Sequence, residues 1–276
     1  MARIAAALAP GPLERATRNG VAVYVLALVA LPLAALVHAG FSQGLREFFA
    51  AFEAPVAREA LWLTAWTGLL VGVINLVLGT ASAWVLVRYR FPGRQVISAL
   101  VDLPFAVPTL VAGVMIGVLY GRDSWAGTTF ERFGIEIMFA PPAIVLSLLF
   151  VTLPFVIRAV EPVLLEIDPA EEEAARVLGA GPLRIFRSVY LPAILPAALS
   201  GGIRALGRAL GEFGSVVVVA GNIPWKTLTA PVYVFGEIES GAPLSAAAIS
   251  LLMLAAALLL HAAARVIEER AGVSRA

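Results

Sequence analysis

Six apolar stretches set the limits on this chain, at residues 20–39, 61–87, 96–120, 142–157, 192–220 and 243–264. Five of them run past 18 residues, and a helix of about 20 residues is about 30 Å long, the thickness of a bilayer's hydrocarbon core. The shortest, 142–157, extends by a turn at either end. Hydrophobic residues make up 60% of the sequence and charged residues 14%, far more apolar than a soluble domain of this length. The expectation is an all-α integral membrane protein with six transmembrane helices. It divides into an N-terminal tail (1–19), a six-span domain (20–266) and a C-terminal tail (267–276), with no soluble domain and no internal repeat. The first stretch ends in Val37-His38-Ala39, which faintly resembles a signal-peptidase site, but it is too long for a signal core and is expected to span.

Basic residues orient these spans. With both termini on one side, thirteen of the 20 Lys and Arg fall in segments on that side, five fall opposite, and two lie within the fifth span. The bias places both termini in the cytoplasm.

Several chemistries are excluded. With no Cys there is no disulfide or thiolate metal site, and His38 and His261 are too far apart in sequence to suggest a metal or catalytic cluster. Aromatic and basic residues are not interleaved as nucleic-acid binding requires. The only lysine, Lys226, follows Pro224-Trp225, so the sequence holds no G-x-x-x-x-G-K phosphate loop. If ATP drives this protein, a partner binds it.

The most informative polar run is 168–182. Asp168 suits an N-cap, Pro169 the first helical position, and Glu171 stands three residues past the cap as in a capping box. Glu171, Glu172 and Glu173 complement the positive end of the helix dipole, and Gly179 suits a left-handed stop. Gly181-Pro182 opens a second short helix, so 168–190 reads as a helical hairpin between spans. Ala174 and Ala175 would let another backbone approach closely; a capped connector would show the same pattern.

Within the spans, Asn75 is expected to face protein, as packing glue. The third span carries Asp102, Pro104, Pro108 and Thr109. Two prolines four residues apart free backbone groups that are tolerated at membrane depth only against protein or a cavity, so this span is expected to line a path. In the fifth, Arg204, Arg208 and Glu212 recur every four residues on one helical face. Arg208 and Glu212 can neutralise each other, leaving Arg204 either structural or available to attract an anion. Gly207 and Gly211 form a GxxxG suited to close helix packing.

Glu173-Ala174-Ala175, three residues, Gly179, nine residues, Val189, one residue and Leu191-Pro192 resembles the EAA signature of bacterial ABC importer permeases, E-A-A, x3, G, x9, I, x, L-P, with Val189 in place of Ile. The resemblance implies the type I importer permease fold and assigns Glu173, Ala174, Ala175, Leu178 and Gly179 to a coupling helix that docks on an ATP-binding subunit. The segment 208–227 resembles importers of sulfate and molybdate. The run 150–164 resembles the sulfate/thiosulfate permease of the T type, which usually has Gln near Glu161. These likenesses cover approximately 60–265 and imply a multi-pass protein of the bacterial inner membrane that imports sulfate or thiosulfate. Implied partners are a W-type permease, two ATP-binding cassette subunits, an extracytoplasmic binding protein and the bilayer. No catalytic residue, metal or cofactor is expected on this chain, with ATP and Mg on the partner. A molybdate or tungstate permease is the nearest alternative; an ion-driven secondary transporter or a membrane-embedded enzyme would be of another class.

Overall fold

The computed structural model describes residues 12–271; Arg3 and Arg275, both counted in the orientation argument, lie outside them. Among the described residues five helices are long and apolar enough to cross a membrane, and a bent pair makes six if it counts as one span. α1 (Pro12–Phe41) starts earlier than the expected span. Between the first two spans lies the short α2 (Leu45–Ala50), held by stacking of Phe41 on Phe48 and edge contacts of Phe48 with Phe49 and Phe52. α3 (Pro55–Arg88) is the longest helix.

The expected third span is two helices, α4 (Arg94–Ala106) and α5 (Thr109–Tyr120), bent by 116°. Pro104 is absorbed inside α4, whereas Pro108 forces Val107 into an extended conformation (φ −80°, ψ 126°) and stops the helix. The loop after it carries α6 (Trp125–Arg132). α7 (Pro141–Glu166) runs nine residues beyond the expected end at Ile157, so the following loop is shorter than expected.

α8 (Pro169–Val177) and α9 (Pro182–Ile185) form the hairpin. A π-helical turn (Phe186–Tyr190) joins it to α10 (Leu191–Leu210). Pro192 has no N–H to close an ordinary turn, and Leu191 N–H reaches back five residues to Phe186 O. The expected fifth span is also broken, since α10 stops at Leu210 and α11 (Gly214–Val219) resumes after three residues. α12 (Ala230–Glu239) occupies an expected loop, and α13 (Pro243–Ala271) closes the chain.

α7 is the centre of the bundle, packed on α3, α10 and α4, while α10 also meets α3 and α13. α1 rests mainly against α13 and leaves most of its apolar surface exposed. Close helix approach rests on glycines other than the expected pair. A Cβ at Gly201 would meet Val156 Cα at 2.9 Å and Phe155 O at 3.0 Å, and one at Gly79 would meet Val156 Cβ at 2.8 Å. Gly211 faces open space and Gly207 only touches Leu260, so among the described residues this GxxxG makes no close helix packing. Asn75 acts as expected, donating to Thr152 Oγ1 at 2.7 Å and tying α3 to α7 in the buried interior.

Candidate functional site

α8 is terminated as its residues dictate. Ala170 N–H donates to Asp168 Oδ1 at 2.9 Å, and Pro169 opens the first turn. At the other end Gly179 has φ +79°. Gly179 N–H donates to Arg176 O at 2.9 Å and Ala180 N–H to Ala175 O at 3.0 Å, the paired bonds of a Schellman stop.

The two faces of α8 differ. Glu173, Ala174, Leu178 and Gly179 are exposed, whereas Ala175 is partly buried against the cluster formed by Leu86, Val156, Ile185 and Tyr190. Around Glu173 the outer face shows Val177 and Leu178, 87% and 86% exposed, and Leu183 of α9 is exposed too. Apolar side chains this bare, rimmed by charge, are what a protein-binding face presents.

The inner face is organised by Glu172, to which the sequence alone assigned no role beyond the helix dipole. Its carboxylate accepts from Arg88 at the end of α3 at 2.5 Å, from Arg176 one turn on, and from the Tyr190 hydroxyl of the π turn. Arg88 lies over the rings of Tyr190 and Trp84, 4.8 and 5.6 Å from their centroids. Trp84 packs edge-on against Phe186 and Tyr190. A cavity of about 490 Å³ opens beside this brace, lined by Trp84, Arg88, Glu172, Phe186 and Tyr190. The usable signal was periodicity: of three successive glutamates only one can share a face with Ala175 and Arg176, and that one is Glu172.

The Tyr190 hydrogen bond, followed by the Arg88 and Arg176 charges, holds the Glu172 carboxyl below its ordinary value of 4.5. A carboxyl lowered on folding stabilises the protein fully above its unfolded value and loses that contribution as pH falls through the lowered value. The brace is therefore complete at neutral pH, and acidification below the ordinary carboxylate range is expected to release α8. Proteolysis of the hairpin as a function of pH measures this, and Glu172→Gln should remove the dependence.

The residues expected along a path fall into three places. Asp102 of α4 accepts two bonds from Arg158 of α7, both at 2.7 Å, and Arg158 also donates to Ser98 O and pairs with Glu161. Pro104 is buried, and Pro108 precedes α5. Thr109 abuts Gly214 at the start of α11, so the breaks in the third and fifth spans meet.

Arg208 pairs with Glu212 at 2.6 Å, and the Glu212 side chain is 1% exposed. Glu212 stands past the end of α10, where it accepts from Ser215 N–H and Oγ, both at 2.9 Å, and so caps α11.

Arg204 is not left with an unbalanced charge: it binds Glu268 of α13 at 2.6 Å, and Ser200 Oγ donates to the same carboxylate at 2.5 Å. Glu268 lies about 37 Å along α13 from Pro243, a longer reach than the ~30 Å of hydrocarbon. Because the Arg204 side chain is 41% exposed, Arg204→Ala is expected to cost only about 1 kcal/mol. Reversing the pair as Arg204→Glu with Glu268→Arg should restore the thermal stability of the purified protein. Lost transport at unchanged stability would return Arg204 to the path.

Comparison with known proteins identifies the family and the fold. Residues 75–273 match the family described as binding-protein-dependent transport system inner membrane component. The sulfate transport system permease protein CysT of Synechocystis sp. is 41% identical over 238 residues, covering 86% of this chain and 83% of the relative. CysT of Salmonella typhimurium is 37% identical over 91% of this chain and 90% of its own. CysW of Synechocystis sp. is 39% identical over 92% of each. Among solved structures, a bacterial ABC transporter involved in alginate import superposes with a TM-score of 0.77 at 18% identity, over 94% of this chain and 95% of that one. The MetNI methionine transporter gives 0.57 at 22%, over 78% and 95%. These two likenesses establish a shared fold. On the match across most of its length and on its relatives' identity, the chain belongs to the family of binding-protein-dependent transport system inner membrane components.

Proposed function

We propose that this chain is the transmembrane permease subunit of an ATP-driven importer for sulfate or thiosulfate. The observation that carries the importer reading is the hairpin, a firmly capped helix whose inner face is braced to α3 while its outer face bares Glu173, Ala174, Val177 and Leu178. A braced lever with an exposed outer face suits the transfer of motion from an ATP-binding subunit. The substrate reading rests on the curated relatives, whose names specify sulfate transport.

In this reading the chain carries no ATPase site, metal or cofactor of its own. Two cassette subunits hold ATP and Mg, a second W-type permease completes the path, and a binding protein delivers the oxyanion from outside. The protein lies in the inner membrane with both termini and the hairpin in the cytoplasm, consistent with the distribution of its arginines. Closure of the cassettes would push α8, and the broken spans would rock to alternate access.

Uptake of radiolabelled sulfate by cells with and without the gene tests the substrate. Loss on deletion, with competition by thiosulfate, is expected; retained sulfate uptake with lost molybdate uptake would move the substrate and keep the machine. Glu173→Lys tests the coupling. It reverses a charge on the exposed face and touches no internal bond, so ATP-coupled uptake should be lost while the protein stays folded in the membrane. Normal uptake by this variant would remove Glu173 from the dock.

A further inference from the structure

A groove of about 640 Å³ runs between α3, α4 and α7. Leu78, Val85, Leu100, Leu153 and Ile157 are among its walls, and Ser82 is the one polar residue lining it. Leu78, Val85 and Leu100 remain exposed. Leu78 stands about 15 Å along α3 from Arg88, the depth of hydrocarbon in one leaflet. Phe91 and Ile97 line the end of the groove nearest the 88–94 turn.

That turn is basic. Arg88 is committed to Glu172, and the nearby acids Asp102 and Glu161 are committed to Arg158. Arg90 and Arg94, which flank Phe91, have no acidic partner among the described residues. The site therefore joins one leaflet's depth of apolar wall to a turn that carries two unmatched positive charges.

We infer that this groove holds an acyl chain of an anionic phospholipid, with the lipid phosphate against Arg90 and Arg94. A helix from a second permease could fill the apolar part, but it would strand both arginines unless it brought two acids to the same depth. A lipid carries its charge at that depth by construction, and basic pockets between spans are suited to anionic headgroups. The inference goes beyond the sulfate reading and does not depend on it.

The complete transporter carrying Leu100→Trp, reconstituted in vesicles with acyl-brominated phosphatidylglycerol or phosphatidylcholine, reads the groove directly. The fluorescence added over the parent transporter should be quenched preferentially by phosphatidylglycerol. Arg90→Gln and Arg94→Gln should each lower that preference about fivefold. Equal quenching by both lipids, unmoved by the Gln variants, would mean ordinary bilayer contact and overturn the site. Absence of quenching by either lipid would mean that protein covers the groove, which overturns it as well. Native mass spectrometry of the parent and the Arg90→Gln/Arg94→Gln transporter needs no groove substitution. Retention of phosphatidylglycerol by the parent alone supports the site; equal retention by both contradicts it.

Discussion

Glu172→Ala is expected to cut uptake about 30-fold while ATP hydrolysis continues, so that the number of sulfate ions moved per ATP collapses. The carboxylate binds three groups on α3, α8 and the π turn, and its side chain is only 12% exposed. Hydrogen bonds to charged groups contribute roughly 1.5–3 kcal/mol each. The Arg176 bond counts for little, because that side chain is 64% exposed. A net loss of about 2 kcal/mol from the seated hairpin corresponds to about 30-fold in the equilibrium between its seated and released states. α8 would then dock on its partner but swing without pulling α3. Tyr190→Phe removes one of the three bonds and should fall between parent and Glu172→Ala, with Arg88→Ala close to the latter. Transport per ATP is the measurement because a loss of folded protein would lower uptake and hydrolysis together. Unchanged stoichiometry in Glu172→Ala would show that the brace plays no part in coupling.

The hairpin was legible because its termini are local chemistry. Asp168, Pro169 and Gly179 each act within a few residues of themselves, and the structure places all three as their types require. The spans were legible because their length answers to the bilayer. The breaks were not. Prolines marked the third span as irregular, but only the backbone shows that Pro104 is tolerated and Pro108 ends the helix. In the fifth, Gly211-Glu212-Phe213-Gly214 looked helical from the spacing of Arg208 and Glu212, and the pair does form, with Glu212 beyond the helix end. An i,i+4 spacing survives a turn that is no longer helical, so it could not signal the break. The partners of Arg204 and Asp102 are 64 and 56 residues away in sequence. Nothing local encodes such pairs. Helical spacing relates Glu172 to Ala175 and Arg176, but that this face turns inward is set by Arg88 and Tyr190, brought in from α3 and the π turn.

Gly113→Ala is expected to destabilise the protein by about 3 kcal/mol, a large effect for one added methyl group. Gly113 lies where α5 crosses α11, and a Cβ there would stand 2.6 Å from Ser215 O and 3.0 Å from Ser215 Cα. Both are backbone atoms and cannot rotate away, so α11 would have to move. It is held at its N-terminus, where Glu212 caps it through Ser215 and a Cβ at Gly214 would stand 3.1 Å from Leu110 N, and at its C-terminus, where Phe139 N–H donates to Val219 O at 3.1 Å. Overpacking of this kind costs roughly 1–3 kcal/mol, and fixed backbone puts the site at the upper end. Gly117→Ala, one turn away on the same helix, is the control. Its Cβ would meet only the flexible end of Met138 at 3.7 Å, and replacing glycine inside a helix gains up to about 1 kcal/mol. The two substitutions are identical in chemistry and opposite in expected sign. Thermal unfolding of the purified permease, followed by size-exclusion of the detergent-soluble fraction, should place one variant well below the parent and the other at or above it. Equal behaviour would mean that the two broken spans do not meet as closely as the crossing at Gly113 and Gly214 requires, and the rocking of one break against the other would lose its structural basis.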